Sequence, residues 1–137
     1  TEVRGGTVVY HLIISSEEIF SPLIEEADTL IVMNQPSYQK FKGMLKSDGL
    51  LVLNSSLIKL NNHSNIKIYK VPATEIASKL GNVVVSNIVM LGAYLAIRKL
   101  FSVNQILDQL NVILKGKKEN LFAINKQALE SGMHVTK

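Results

Sequence analysis

The sequence predicts a single α/β domain in which a mainly parallel sheet is flanked by helices, a Rossmann-like three-layer arrangement. Three observations carry this. Short continuous apolar runs, Thr29–Met33 and Leu50–Leu53, have strand length and no alternation, the pattern of strands buried on both faces. Stretches at helical spacing separate them, so strand and helix alternate through the first half of the chain. At 137 residues there is enough chain for one core and too little for two comfortable ones.

Taken in order, Arg4-Gly5-Gly6 leads into Thr7–Ile14, rich in β-branched and aromatic residues and predicted as a strand. The glycine pair serves either a plain turn or a close approach to a ligand or another backbone. Ser21-Pro22 reads as an N-cap with proline at the first helical position, and Glu25 and Glu26 favour the start of a short helix ending by Asp28. The strand Thr29–Met33 stops at Asn34-Gln35. Pro36 opens a helix with Tyr38, Phe41 and Leu45 on one face, ended by a Ser47-Asp48-Gly49 turn. Leu50–Leu53 is the next strand, stopping at Asn54-Ser55-Ser56. A loop over Leu60–Asn65 precedes a third strand, Ile66–Val71.

The stretch from Val71 to Lys99 organises the rest, because it joins a strand end, a short helix and the most apolar helix. Thr74 is placed to cap the helix Glu75–Leu80, with Gly81 as its C′ residue. Asn87–Lys99 is apolar nearly all round, as a helix between layers should be. Ser102 with Gln105 forms a capping-box pair for a helix carrying Val103, Ile106, Leu107, Leu110, Ile113 and Leu114 at helical spacing, ended by Gly116. A last helix, Glu119–Ser131, turns Leu121, Ile124, Ala128 and Leu129 inward, and the tail from Met133 is expected to fray.

Composition narrows the function. The formal charge of +4 comes from 13 Lys and two Arg that are dispersed, with no basic stripe or aromatic interleaving of the kind a nucleic-acid reader needs. The absence of cysteine excludes disulfides, thiolate zinc sites, Fe–S ligation and a Cys nucleophile from this chain. His11, His63 and His134 have no spacing suited to a metal, and no Walker loop, Gly-x-Gly-x-x-Gly or Gly-x-Ser-x-Gly occurs. The longest apolar run, Ile88–Ile97, is too short to span a bilayer, which implies a soluble cytoplasmic protein. A start at Thr1, leading at once into a strand, suggests that something upstream is missing.

In a wound α/β sheet, ligands bind beyond the carboxyl ends of the parallel strands. All three predicted strands end there in small polar residues: Asn34-Gln35, Ser55-Ser56 and Thr74-Glu75. Each pair alone fits turn or cap chemistry; together they define a candidate ligand-facing rim. Glu75 fits a base, an interface anchor or a first-turn partner of the helix dipole. Asn82 and Asn87 fit either loop satisfaction or reach across an interface.

Together these residues make the chain similar to the gamma subunit, or gamma domain, of the 2-oxoacid:ferredoxin oxidoreductases. The matching pieces are Glu2-Val3-Arg4-Gly5-Gly6-Thr7, Ile14-Ser15, Ile19-Phe20-Ser21-Pro22, Ala27-Asp28-Thr29-Leu30-Ile31 and Asn34-Gln35-Pro36-Ser37. Leu53-Asn54-Ser55-Ser56, Val71–Ala77, Gly81-Asn82 and Ser86–Ala93 follow in family order. That family's opening strand and Gly-Gly-Gln-Gly loop do not appear, so residues 1–137 resemble a gamma-type domain that is N-terminally incomplete. The resemblance implies a non-autonomous subunit of an enzyme that oxidatively decarboxylates a 2-oxoacid to an acyl-CoA and passes electrons to ferredoxin. It implies thiamine diphosphate, Mg and iron–sulfur clusters held by alpha, beta and possibly delta subunits, and coenzyme A received near Arg4, Gly5 and Gly6. Asn34, Gln35, Ser55, Ser56, Thr74 and Glu75 would complete that cofactor-facing edge. The alternative from another class is a free-standing α/β module that binds a nucleotide-like ligand without redox activity. The two differ in association: the first needs a large apolar surface for partners, the second a complete pocket within one chain.

Overall fold

The computed structural model describes residues 8–21, 23–60, 66–115 and 119–135. Three parallel strands, β1 (Ala27–Val32), β2 (Leu45–Asn54) and β3 (Lys67–Val71), form a sheet in that order. Thr29 lies beside Leu50 and Val32 beside Leu53, while Leu50 lies beside Lys67 and Asn54 beside Val71, so all three strands end together. Each β-to-β step is parallel and therefore needs a crossover. α1 (Gln35–Phe41) lies in the first, and α2 (Ala73–Lys79) follows β3.

Two apolar layers sandwich the sheet. On one face Leu50, Val52 and Val71 pack with α2, α3 (Ser86–Arg98) and α5 (Glu119–Val135), through Ala73, Ala77, Val89, Met90, Ala93 and Ala128. On the other, Val32, Leu51, Leu53 and Ile58 pack with Tyr38 of α1. The expected helix–sheet–helix layering is thus present, with far thinner cover on the α1 side. α4 (Val103–Leu114) sits outside the core against α5 and buries none of its residues fully, although its apolar residues fall at the predicted spacing.

α3 and α5 cross at backbone contact. A Cβ on Gly92 would overlap the Leu129 carbonyl, and one on Gly132 would overlap the Val89 carbonyl. Only glycine admits such an approach. α2 ends in a Schellman motif: Gly81 has φ +85°, its N–H donates to Ser78 O at 2.9 Å, and Asn82 N–H donates to Ala77 O at 3.1 Å. The Ser102–Gln105 capping box is present in both directions. Both follow the local chemistry read from the sequence.

Several expectations fail. Residues 8–14 form no strand, and residues 23–26 form no helix; both segments are irregular, with Tyr10, Leu12 and Leu23 in solvent and Ile24 half-buried. Ser21 Oγ does accept a backbone hydrogen bond, from Leu23 N–H at 3.2 Å, but only as a local turn. β1 is not buried on both faces, since Ile31 is exposed; among the described residues the strand pairs with β2 alone. Ser47-Asp48-Gly49 does not end a helix. It lies within β2, where the register jumps from Ala27 beside Leu45 to Thr29 beside Leu50, and a bulge absorbs the extra residues. Lys46 on that bulge reaches back to Asp28 on β1 at 2.6 Å. α1 gives way to a 3₁₀ turn at Lys42–Met44, so Leu45 belongs to the strand. α5 continues through Met133 and His134 to Val135 instead of fraying. Arg4, Gly5, Gly6, Thr7, Pro22, the loop at 61–65 with His63, and Gly116 lie outside the described residues.

Candidate functional site

The common ending of the three strands brings the polar tips to one edge, as the parallel topology requires. Their junction is a residue that sequence reading passed over. Asn54, fully buried, closes β2 and is bonded to both neighbouring strand ends. Its Nδ2 donates to Met33 O at 3.1 Å, just past β1, and to Thr74 Oγ1 at 2.8 Å, just past β3. Its Oδ1 accepts from Ser56 N–H and Thr74 N–H, each at 3.3 Å. A buried amide that uses both donors and its acceptor is fully satisfied and fixes its surroundings. The signal was available: Asn54 is the polar residue that breaks the run Leu50–Leu53 at the depth where all three strands stop.

The rim is built on this clip. Beyond Asn54 the chain turns through Ser55–Leu57, with Leu57 N–H and Ile58 N–H donating to Asn54 O at 3.1 and 3.0 Å. Ser56 Oγ accepts from Glu75 N–H at 3.1 Å, tying the turn to α2. Gln35 Oε1 accepts from Lys59 N–H at 3.1 Å, tying it to α1. Asn34 caps α1, its Oδ1 accepting from Ser37 N–H at 2.9 Å. Asn34, Gln35, Ser55, Ser56, Thr74 and Glu75 therefore do share one edge. Thr74 does not cap α2, because its hydroxyl is committed to Asn54 and Pro72 occupies the cap position. Asn82 is a local cap, accepting from Val84 N–H at 3.0 Å, and Asn87 Oδ1 accepts from Ile88 N–H at 2.9 Å.

Of the readings open for Glu75, general base is disfavoured. Its carboxylate is exposed and paired with Lys79 one turn on, at 2.8 Å. The Lys79 hydrogen bond and charge hold its pKa below the usual carboxylate value, away from the near-neutral range that proton transfer favours. Among the described residues no three His, Asp or Glu gather as a metal cluster would require.

Two recesses are lined by other residues: one of about 460 Å³ beside Phe101 and Gln105 on α4, and one of about 170 Å³ between Tyr38, Lys42, Leu45 and Ile66 under α1. Burial pushes the Tyr38 hydroxyl pKa up. No helix among the described residues is long and apolar enough to cross a membrane.

The fold and edge define a small wound α/β domain with a polar strand-tip rim. Residues 1–135 match the family model described as pyruvate ferredoxin/flavodoxin oxidoreductase, and the chain belongs to that family. It is 32% identical over 130 residues to the 2-oxoglutarate synthase subunit KorC of Methanocaldococcus jannaschii, covering 91% of this chain and 70% of that one. It is 30% identical over 132 residues to the ketoisovalerate oxidoreductase subunit VorA of Methanothermobacter marburgensis, covering 96% of this chain and 27% of the relative. The chain therefore spans about a quarter of the one relative and somewhat over two thirds of the other. Among solved structures, a 2-oxoglutarate:ferredoxin oxidoreductase from Magnetococcus marinus, with 2-oxoglutarate, coenzyme A and succinyl-CoA bound, shares the fold at TM-score 0.80 and 21% identity. That match covers 89% of this chain and 22% of the other. The gamma subunit of a keto/oxoacid ferredoxin oxidoreductase from Geobacter sulfurreducens superposes at TM-score 0.68 with 24% identity, covering 80% and 63%.

Proposed function

We propose that residues 1–137 are a gamma-type domain of a 2-oxoacid:ferredoxin oxidoreductase, working only with other subunits to convert a 2-oxoacid to an acyl-CoA with electrons passed to ferredoxin. The observation that carries this, beyond family membership, is an apolar surface that a self-sufficient module would not leave in water. Val8, Tyr10, Leu12, Ile14 and Phe20, on the irregular stretch 8–21, and Leu23 beyond it are 56% exposed or more. Such a surface marks a place for partners. Neither recess is lined by a residue of the rim, so nothing among the described residues favours the free-standing nucleotide-binding module.

In this reading alpha, beta and possibly delta subunits hold thiamine diphosphate, Mg and the iron–sulfur clusters, in keeping with a chain that has no thiolate to offer. Coenzyme A is received at the rim, with Arg4 engaging a phosphate or an acidic partner group and Gly5 and Gly6 permitting close approach. The complex works in the cytoplasm. The test is purification of the protein in its native assembly, with cofactor and iron analysis. Co-purifying subunits carrying thiamine diphosphate and iron are expected; a native monomer lacking both, yet binding nucleotide, overturns the reading. Arg4→Ala should weaken coenzyme A use or assembly while leaving the domain folded, and wild-type turnover with wild-type complex yield would remove Arg4 from the edge.

A further inference from the structure

α4 carries apolar residues on two faces. Val103, Leu107, Leu110 and Leu114 share its half-buried face, and α4 packs on α5. A second face is left largely in water. It begins at the recess of about 460 Å³ lined by Phe101, Gln105, Ile106, Asp108 and Gln109. Seven residues on, two helical turns along the same stripe, Gln105, Ile106 and Asp108 are succeeded by Val112, Ile113 and the C-cap Lys115. Val112 and Ile113 are 66% and 64% exposed. Neither Asp108 nor Lys115 has an ion pair among the described residues.

This face has a hollow and an acid in its first half, and two outstanding aliphatic side chains and a base in its second. Such a face is complementary to itself turned end for end. That is the requirement of an isologous contact, in which residue i meets j and j meets i about a two-fold axis. We infer that α4 pairs antiparallel with α4 of a second copy of this chain. Val112 and Ile113 of each copy cover the recess of the other, and Lys115 of each comes within reach of the other's Asp108. One helix pair covers less than the roughly 800 Å² per partner of a standard interface, so the association belongs in the micromolar range. The pairing uses no residue of the rim and none of residues 8–23, so it goes beyond the proposed function: it brings two copies of the domain together, whichever other subunits they carry.

Sedimentation velocity of the whole chain, from micromolar to submillimolar concentration, should show a reversible monomer–dimer equilibrium. Ile113→Lys, at an exposed position, should weaken it about tenfold or more with the helical circular dichroism unchanged. Asp108→Lys and Lys115→Asp should each weaken it several-fold by setting like charges together, and the double variant, with the charges exchanged, should restore it. If Ile113→Lys disturbs the fold, the charge exchange decides. A chain monomeric throughout, a dimer indifferent to Ile113→Lys in folded protein, or a double variant no better than the single ones overturns the inference. A monomer whose Ile113→Lys variant is lost from the native assembly overturns it too, and assigns the face to a different subunit. Dimers that never carry other subunits would support this pairing and count against the proposed function alone.

Discussion

At the scale of single residues, Asn54 carries more of the structure than any other polar group described. Its four hydrogen bonds satisfy the carbonyl past β1, the hydroxyl and amide past β3, and the amide of its own turn. Asn54→Leu keeps the volume approximately but strands the Met33 carbonyl and the Thr74 and Ser56 amides beside apolar atoms. Unsatisfied buried groups cost roughly 1–3 kcal/mol each when water cannot reach them. A loss of about 3 kcal/mol in chemical denaturation, at unchanged denaturant slope, is expected. Thr74→Val removes one partner of the same amide and should cost about 1 kcal/mol. Because the two residues touch, the double variant should lose less than the sum of the singles, and additivity would show that the clip does not act as a unit. The rim's tip pairs were legible in the sequence because turn-forming residues follow each apolar run. Asn54 was not, because an asparagine closing a strand looks locally like any other turn opener; only pairing with β1 and β3 makes it the junction.

At the scale of elements, local signals survived and signals that depend on a partner did not. The Gly81 terminator and the Ser102–Gln105 box are set by neighbours within five residues, and both formed as read. Thr7–Ile14 has the composition of a strand, but strand preference expresses packing on a neighbouring strand. Residues 8–14 have none in the described sheet. The α3–α5 crossing was equally hidden, because a glycine in a helix reads as a propensity cost until the opposing backbone is known. Gly92→Ala should push α3 from Leu129 and cost about 3 kcal/mol or more, whereas helix propensity alone predicts a gain of nearly 1 kcal/mol. The sign of the change in thermal midpoint therefore tests the crossing. The β1–β2 bulge offers a test by pH. The Lys46 hydrogen bond and charge hold Asp28 below its ordinary value, and Asp28 in turn raises Lys46. Asp28 thus contributes stability above its unfolded pKa, near 3.9, and loses it as pH falls through the lower folded value. Lys46 contributes below its unfolded pKa and loses its share as pH rises through the higher folded one. Wild type should exceed Asp28→Asn in thermal midpoint between those limits, by a small margin that high salt erodes because both groups are exposed. A gap unchanged down to pH 2 would exclude this ion pair as its source.

At the scale of the whole molecule, the two ends of the described chain have different characters. From β1 onward, side chains interlock around the sheet: Leu51, Val52, Leu53, Val71, Val89 and Leu129 are almost fully buried. Before β1, Tyr10, Phe20 and Leu23 are 90%, 88% and 81% exposed. Burying a large apolar side chain yields about 1.5–3 kcal/mol, and in this stretch that gain is largely unclaimed. If other subunits claim it, as the proposed function requires, the difference is readable by protease. Chymotrypsin acting on the chain alone should cut first after Tyr10, Leu12, Phe20 or Leu23. The remaining fragment should keep its helical circular dichroism, since the core on both faces of the sheet draws no buried residue from before Val32. In the native assembly those cuts should slow by about tenfold or more, because cleavage follows the population of accessible backbone. Equal cutting rates in the two states would mean that the stretch from Val8 to Leu23 is not where the partners sit, and the apolar surface would then need another explanation.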